Sequence, residues 1–454
     1  MEAVTHTNPL GCQSIGRLMV KYSVPAVISL VVNSLYNIVD QIFIGQCVGY
    51  LGNAATTIIL PLTCMLMALT FMLGDGAGAR MSLSLGAGKP EEAARGVGNM
   101  VTLSILVGIV LTVLCLIFLA PLCGIFGATD ESLPYAVGYG RIIVAGFPVA
   151  AICCAFGASL RADGRPQVTM IGLLMGCITN IILDALFVLV FDWGVAGAAL
   201  ATIIGQALNA VYFLFCIFRF RTIKLTRQDF IPHWPTTRKI LSLGTSSFIT
   251  QIAAVVVVTV LNNSFVLYGA ASKYGPDIPL ACVGIVSKVS QLVGSFAMGI
   301  STGAQPIMGY NYGAKQYPRV KKTYKWMVLV CTGIVFCAWL VFQFAPESIV
   351  NLFGQESPLY MEFACKNFRI YLMMGFLIPF TTGSAVYFQA VGRPIPAAAL
   401  SLTRQILCLV PAALLFGYLW GVEGLLYAGA FADLSAFIVA AITVKACWKK
   451  IFAE

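Results

Sequence analysis

The chain has 454 residues, of which 59% are hydrophobic and 10% charged, with a formal net charge of +10. Soluble domains carry about 25% charged residues because their surface meets water, so this composition excludes a soluble globular protein and leaves an exterior that faces lipid. The basic residues lie in short loops with no folded basic module, so no nucleic-acid partner is expected.

Residues 1–17 contain His6, Pro9 and Gly11 but no apolar core ending in a small-residue cleavage site. A cleavable signal peptide is therefore not expected, and the first span is its own insertion signal. Twelve apolar runs follow, at 18–46, 54–78, 97–121, 135–160, 168–191, 195–218, 240–268, 280–307, 325–345, 367–390, 398–418 and 424–446. Runs of about 20 apolar residues cross ~30 Å of hydrocarbon as helix, whereas barrel strands would alternate polarity over ~10 residues. The predicted fold class is an all-α membrane protein of twelve transmembrane helices. The 15 cysteines lie mostly inside apolar runs without a CxxC pair, as buried small hydrophobes would.

Lysine and arginine orient the chain. Loops after even-numbered spans carry Lys89 and Arg95, then Arg219, Arg221, Lys224, Arg227, Arg238 and Lys239, then Lys315, Arg319, Lys321, Lys322 and Lys325. Opposite loops carry Asp130, Glu131, Asp192, Asp277, Glu347, Glu356 and Glu423. The positive-inside rule then predicts a multi-pass protein of the plasma or inner membrane with both termini in the cytoplasm.

The chain repeats itself. Arg141-Ile142 followed by Gly164-Arg165-Pro166 recurs as Arg369-Ile370 followed by Gly392-Arg393-Pro394, 228 residues later. Trp193-Gly194-Val195 recurs as Trp420-Gly421-Val422, Phe126-Gly127 as Phe353-Gly354, and Gly78-Ala79 as Gly303-Ala304. Four landmarks in order at one near-constant spacing mark a duplication. Predicted units are a six-helix bundle at 1–218, a cytoplasmic linker at 219–239 and a second bundle at 240–454. Six spans is an even number, so the two bundles are parallel repeats about an axis along the membrane normal. Such a pair leaves a cleft that rocking would expose alternately to each side.

Ionisable residues at membrane depth are costly and point to function. Asn33, Asn37 and Asp40 form one stripe on the first helix, Asn180 and Asp184 another on the fifth, and Thr202, Gln206 and Asn209 a third on the sixth. At ~1.5 Å per residue from the outer end, Asp40, Asp184 and Thr202 lie about 10 Å deep, Asn180 about 16 Å and Tyr139 on the fourth span about 6 Å. Four helices of one half thus share a polar layer. Two carboxylates there resist ionising together, so the layer would hold a proton near neutral pH, or a Na⁺ within the oxygens of Asp40, Asn180, Asp184 and Thr202. The competing reading is a hydrogen-bonded structural core.

The second half lacks that pattern: Ala412 stands where the repeat would carry Asp184. It offers Lys288 and Asp433 at membrane depth, which either pair with each other or line a substrate path together with Asn33, Asn37, Gln206 and Asn209. Arg404, two turns from the cytoplasmic end, is expected to snorkel. Asp75, close to the cytoplasmic rim, receives no role.

Asn37-Ile38-Val39-Asp40 followed by Gly45, the glycine-rich second and eighth spans, and the duplicated Gly-Arg-Pro make the whole chain resemble the multidrug and toxic compound extrusion (MATE) family, in its DinF-like, MepA-type branch. The resemblance implies a V-shaped pair of bundles and export of small organic, often cationic, compounds by Na⁺ or H⁺ antiport. It further implies cation coupling at Asp40, Asn180, Asp184, Thr202 and Tyr139. Gln251 on the seventh span, and the lack of an acid between Tyr371 and Ala390, argue against the second-bundle ion site of the NorM-like branch. No cofactor beyond the coupling ion, no enzymatic activity, and a monomer in contact with membrane lipid are expected. Rival readings are a lipid-linked oligosaccharide flippase of related fold, or a membrane protein that does not transport.

Overall fold

The computed structural model describes residues 8–47, 50–126, 128, 130–275, 277–352 and 358–452. Side chains of residues 37, 38, 40–47, 50, 51, 53, 54, 277, 352 and 449–452 fall outside that description. The described regular structure is helical throughout. Its long helices run Ile15–Cys47, Tyr50–Gly86, Pro90–Ile117, Gly194–Ile217, Trp234–Ala270, Asp277–Gly313 and Tyr317–Phe344. Five of these overrun the predicted spans by about two turns at the end that bears the basic loops. Hydropathy falls where a helix leaves hydrocarbon, but the backbone ladder continues into the polar layer.

The remaining spans are interrupted. The fourth is two helices, Leu133–Ala145 and Phe147–Ala162, bent by 55° at Gly146. The tenth joins Pro358–Tyr371 to Ile378–Ala390 through a short turn. The fifth, Pro166–Asp184, runs into a π-helical turn at Ala185–Val190. The last segment, Pro394–Trp448, spans 55 residues. At ~1.5 Å per residue that is about 80 Å, more than twice the hydrocarbon thickness. Gly421, with φ 63° and ψ −146°, breaks it. Dividing there gives an eleventh and a twelfth span, so the described residues hold twelve.

The repeated Gly-Arg-Pro motif is a helix–helix turn. Gly164 and Gly392 adopt φ of 85° and 76°, a left-handed conformation that glycine takes without a Cβ penalty. The next amide reaches back to the preceding helix, Arg165 N to Leu160 O and Arg393 N to Phe388 O. Pro166 and Pro394 then open the following helix, where a missing N–H costs nothing. Lys89 N to Ser84 O and Gln316 N to Asn311 O close the same six-residue loop between the second and third and the eighth and ninth spans. The duplication therefore extends to a second pair of turns whose sequences have drifted apart.

Packing repeats as well. In the first half the first span lies on the fifth, the fifth on the sixth, and the second on the third and fourth; the second half pairs its spans in the same order. Between halves, the second span packs on the seventh and the first on the eighth. Exchanging the halves maps one of those contacts onto the other, which is the signature of a pseudo-twofold axis. The halves are parallel six-helix bundles.

Cross-half contacts concentrate at the basic-loop end. Gly76 lies against the Ile240 carbonyl, Gly244 against that of Met72, Gly86 against that of Tyr310 and Gly313 against that of Leu83. Side-chain-free surfaces allow such backbone-to-backbone approach between membrane helices. Of the described cysteines, Cys115, Cys123, Cys177, Cys216, Cys282 and Cys331 are buried, whereas Cys12 and Cys337 are exposed. The expectation of buried cysteines holds for part of the set, because an apolar span has a lipid face as well as a packed one.

Candidate functional site

Asn180 and Asp184 sit one turn apart on the buried side of the fifth span, 3% and 0% exposed. The Asn180 amide donates to Thr202 Oγ1 on the sixth span at 3.3 Å. Glycine explains why these two helices bring their polar stripes together. Gly176 and Gly205 each face the other's carbonyl, and Gly172 faces Asn209 and Phe213. A side chain at any of the three would hold the helices apart and separate Asn180 from Thr202.

Asn180 Oδ1 is buried and has no hydrogen-bond donor among the described residues. A buried amide oxygen without a donor is costly and is a ready ligand for a hard cation or a protonated group. The π-helical turn begins immediately after Asp184. Such turns are local departures from the α ladder that cluster at functional positions.

Tyr139 is also buried, in an apolar cluster with Ile59, Val188, Val195 and Ala199. It belongs to the outer segment of the bent fourth span, which packs on the sixth. The side chains of Asp40 and Asn37 lie outside the described residues; the first helix that carries them packs along the fifth.

The residues expected along a substrate path lie on the first, sixth, eighth and twelfth spans. Asn33 is half-buried on the first span and Gln206 on the sixth. Gln206 contributes its backbone carbonyl, which accepts from the Cys153 thiol at 3.1 Å. Asn209 is buried between the fifth and sixth spans. Lys288 is exposed on the eighth.

Asp433 does not pair with Lys288. Its partner is Arg404, whose Nε lies 2.8 Å from Asp433 Oδ1. Two physical features account for this correction. The break at Gly421 folds the eleventh and twelfth spans into a hairpin that sets the two helices side by side. Arg404 also lies in a π-helical stretch, Thr403–Leu409, whose wider turn changes its rotation about the helix axis.

Asp75 has partners that the sequence did not single out. Ser247 Oγ on the seventh span donates to Asp75 Oδ2 at 2.8 Å, and Gln389 Nε2 on the tenth lies 3.3 Å from Ser247 Oγ. An acid between two glycines, Gly74 and Gly76, inside an apolar span was the available signal. It belonged to no polar stripe, so it carried no partner with it.

Twelve apolar helices in two parallel bundles, with polar side chains converging inside one of them, define a polytopic membrane protein of the transporter type. The MatE family profile matches residues 25–186 and 252–415, and the chain belongs to that family. Multidrug export protein MepA of Staphylococcus haemolyticus (strain JCSC1435) is 27% identical over 442 residues, covering 94% of this chain and 93% of its own. MepA of Staphylococcus aureus (strain MRSA252) is 25% identical over 441 residues with the same coverage. A crystal structure of MATE in complex with MaL6 superposes with a TM-score of 0.91 at 22% identity, covering 98% of this chain and 99% of that one. An outward-facing multidrug resistance MATE transporter of the MOP superfamily gives 0.90 at 23%, covering 98% of each chain. The fold is the MATE fold.

Proposed function

We propose that this chain is a cation-coupled antiporter that exports small organic compounds, cationic ones among them, across the cell membrane by alternating access. The observation that carries the reading is the Asn180–Thr202 hydrogen bond beside the buried Asp184, within a MatE chain whose relatives are named for multidrug export. Asp40, Asn180, Asp184, Thr202 and Tyr139 form the coupling site, and Na⁺ or H⁺ is its cargo. The basic-loop end faces the cytoplasm and carries both termini. The cleft between the bundles binds substrate by loose apolar contact, as suits a pocket that accepts many molecules. Antiport follows when cation and substrate favour opposite conformations, since coupling is a difference in affinity between states. The chain is a transporter, works as a monomer and needs no other cofactor.

The test is ethidium efflux from membrane vesicles driven by an imposed H⁺ or Na⁺ gradient. Asp40→Asn and Asp184→Asn should each abolish efflux at unchanged protein level, and the gradient that drives the wild type identifies the cargo. Wild-type rates in both variants would remove the coupling site.

A further inference from the structure

We propose that Asp75 and Ser247 form a latch that holds the two bundles together at the cytoplasmic end and must part each time the transporter opens inward. The proposal rests on the alternating-access reading and adds to it the residues that close one gate.

The bond between them crosses from one bundle to the other. Asp75 stands on the second span and Ser247 on the seventh, and the hydroxyl donates to the carboxylate at 2.8 Å. Ser247 is braced from its own side. In the second bundle, Gln389 donates to the Leu243 carbonyl at 3.0 Å and lies 3.3 Å from Ser247 Oγ, while Gln305 on the eighth span reaches Gln389 Oε1 at 3.3 Å. A hydrogen-bonded chain thus runs Asp75, Ser247, Gln389, Gln305, and its inter-bundle step is the Ser247–Asp75 bond.

Its surroundings explain why such a bond matters. The seam beside it is backbone on backbone, at Gly76 with Ile240 and at Gly244 with Met72. Surfaces of that kind approach closely but do not interlock, so they separate without unthreading side chains. A directed, part-buried hydrogen bond to a carboxylate supplies what the glycine seam lacks: a contact that is either made or broken. When it breaks, Ser247 keeps the bond it accepts from Gln389, and the half-buried Asp75 carboxylate meets the water that enters the opened gap, so neither group is stranded in the open state. Both arrangements are satisfied, as a two-state element requires.

The test is hydrogen–deuterium exchange on the full chain in lipid nanodiscs, without substrate or gradient. Ser247→Ala and Asp75→Ala should raise the population of the cytoplasm-open state roughly tenfold, as expected for losing one hydrogen bond to a charged acceptor. Exchange should quicken along 72–86 and 240–247 and stay unchanged along the fifth and sixth spans. Ser247→Thr, which keeps the hydroxyl, should restore the wild-type pattern. Unchanged exchange at the seam, or quickening spread evenly through both bundles, would overturn the latch. Because this readout needs no transport, it can fail while Asp184→Asn still abolishes efflux, and it can succeed if the coupling site is wrong.

Discussion

Arg404 Nε donates to Asp433 Oδ1 at 2.8 Å across the hairpin of the last two spans, with the carboxylate almost wholly buried. Two charges in such a place are stable only together. Removing one leaves the other desolvated and unmatched, which costs about 3–5 kcal/mol, whereas replacing both with apolar groups of similar volume is close to neutral. Asp433→Ala and Arg404→Met are each expected to lower the thermal unfolding temperature in detergent, and Arg404→Met with Asp433→Leu to recover most of the loss. Additive losses in the double variant would mean that the pair is not the stabilising unit.

The Asn180–Thr202 bond gives a finer test of the proposed site than removing a carboxylate. Thr202→Val keeps the shape of the side chain and deletes its hydroxyl. The fold should survive, because the fifth and sixth spans are held by Gly172, Gly176 and Gly205. The cation concentration for half-maximal efflux should rise about tenfold, the equivalent of ~1.4 kcal/mol. An unchanged half-saturation point would take Thr202 out of the cation shell.

Much of this architecture is legible in residues alone, and the rest has identifiable reasons for being hidden. Span count and duplication were readable because lipid demands long apolar runs and the Gly-Arg-Pro turns need particular residues. Asn180 and Thr202 were readable as neighbours because each belongs to a helical stripe in the outer half of its span, about one turn apart in depth. Asp433 was given the wrong partner because depth along a span says nothing of rotation about its axis, and a π-helical stretch and the break at Gly421 change that rotation. Asp75 had no role because its hydrogen-bond partner comes from the seventh span, which no local spacing reveals. The helix ends ran past their apolar runs because hydrogen bonding, not hydropathy, ends a helix.

The glycine seam makes a prediction with an internal control. A Cβ on Gly244 would collide with the Met72 carbonyl, a backbone atom that cannot swing aside, whereas one on Gly333 in the ninth span would meet nothing within 4 Å. Gly244→Ala should therefore wedge the bundles apart, lower the unfolding temperature and slow efflux. Gly333→Ala should be neutral or slightly stabilising, by up to about 1 kcal/mol, since alanine restricts the unfolded chain and favours helix. Equal effects at both positions would show that the close approach is not what matters at Gly244.

Asp163 explains how the segment between the bundles is kept in place. Its buried carboxylate accepts from Arg165 Nε at 2.7 Å, from the amides of Arg221 and Thr222 at 2.9 and 3.0 Å, and from Thr222 Oγ1 at 2.8 Å. One acid thus ties the turn after the fourth span to the chain leaving the sixth. Further along, Asn99 of the third span holds the same segment through the Asp229 and Ile231 carbonyls and the His233 amide. With four donors aimed at one carboxylate, Asp163→Ala strands several buried polar groups at ~1–3 kcal/mol each. Because Asn99 still anchors the far end, the release should be local: trypsin should cut faster after Arg219 and Arg221 while the rest of the chain keeps its protection. Asp163→Asn keeps an acceptor oxygen but presents an amide to some of those donors, so its cleavage rate should fall between wild type and Asp163→Ala. If trypsin cuts all three proteins at one rate, the segment is held by Asn99 and its neighbours without help from Asp163.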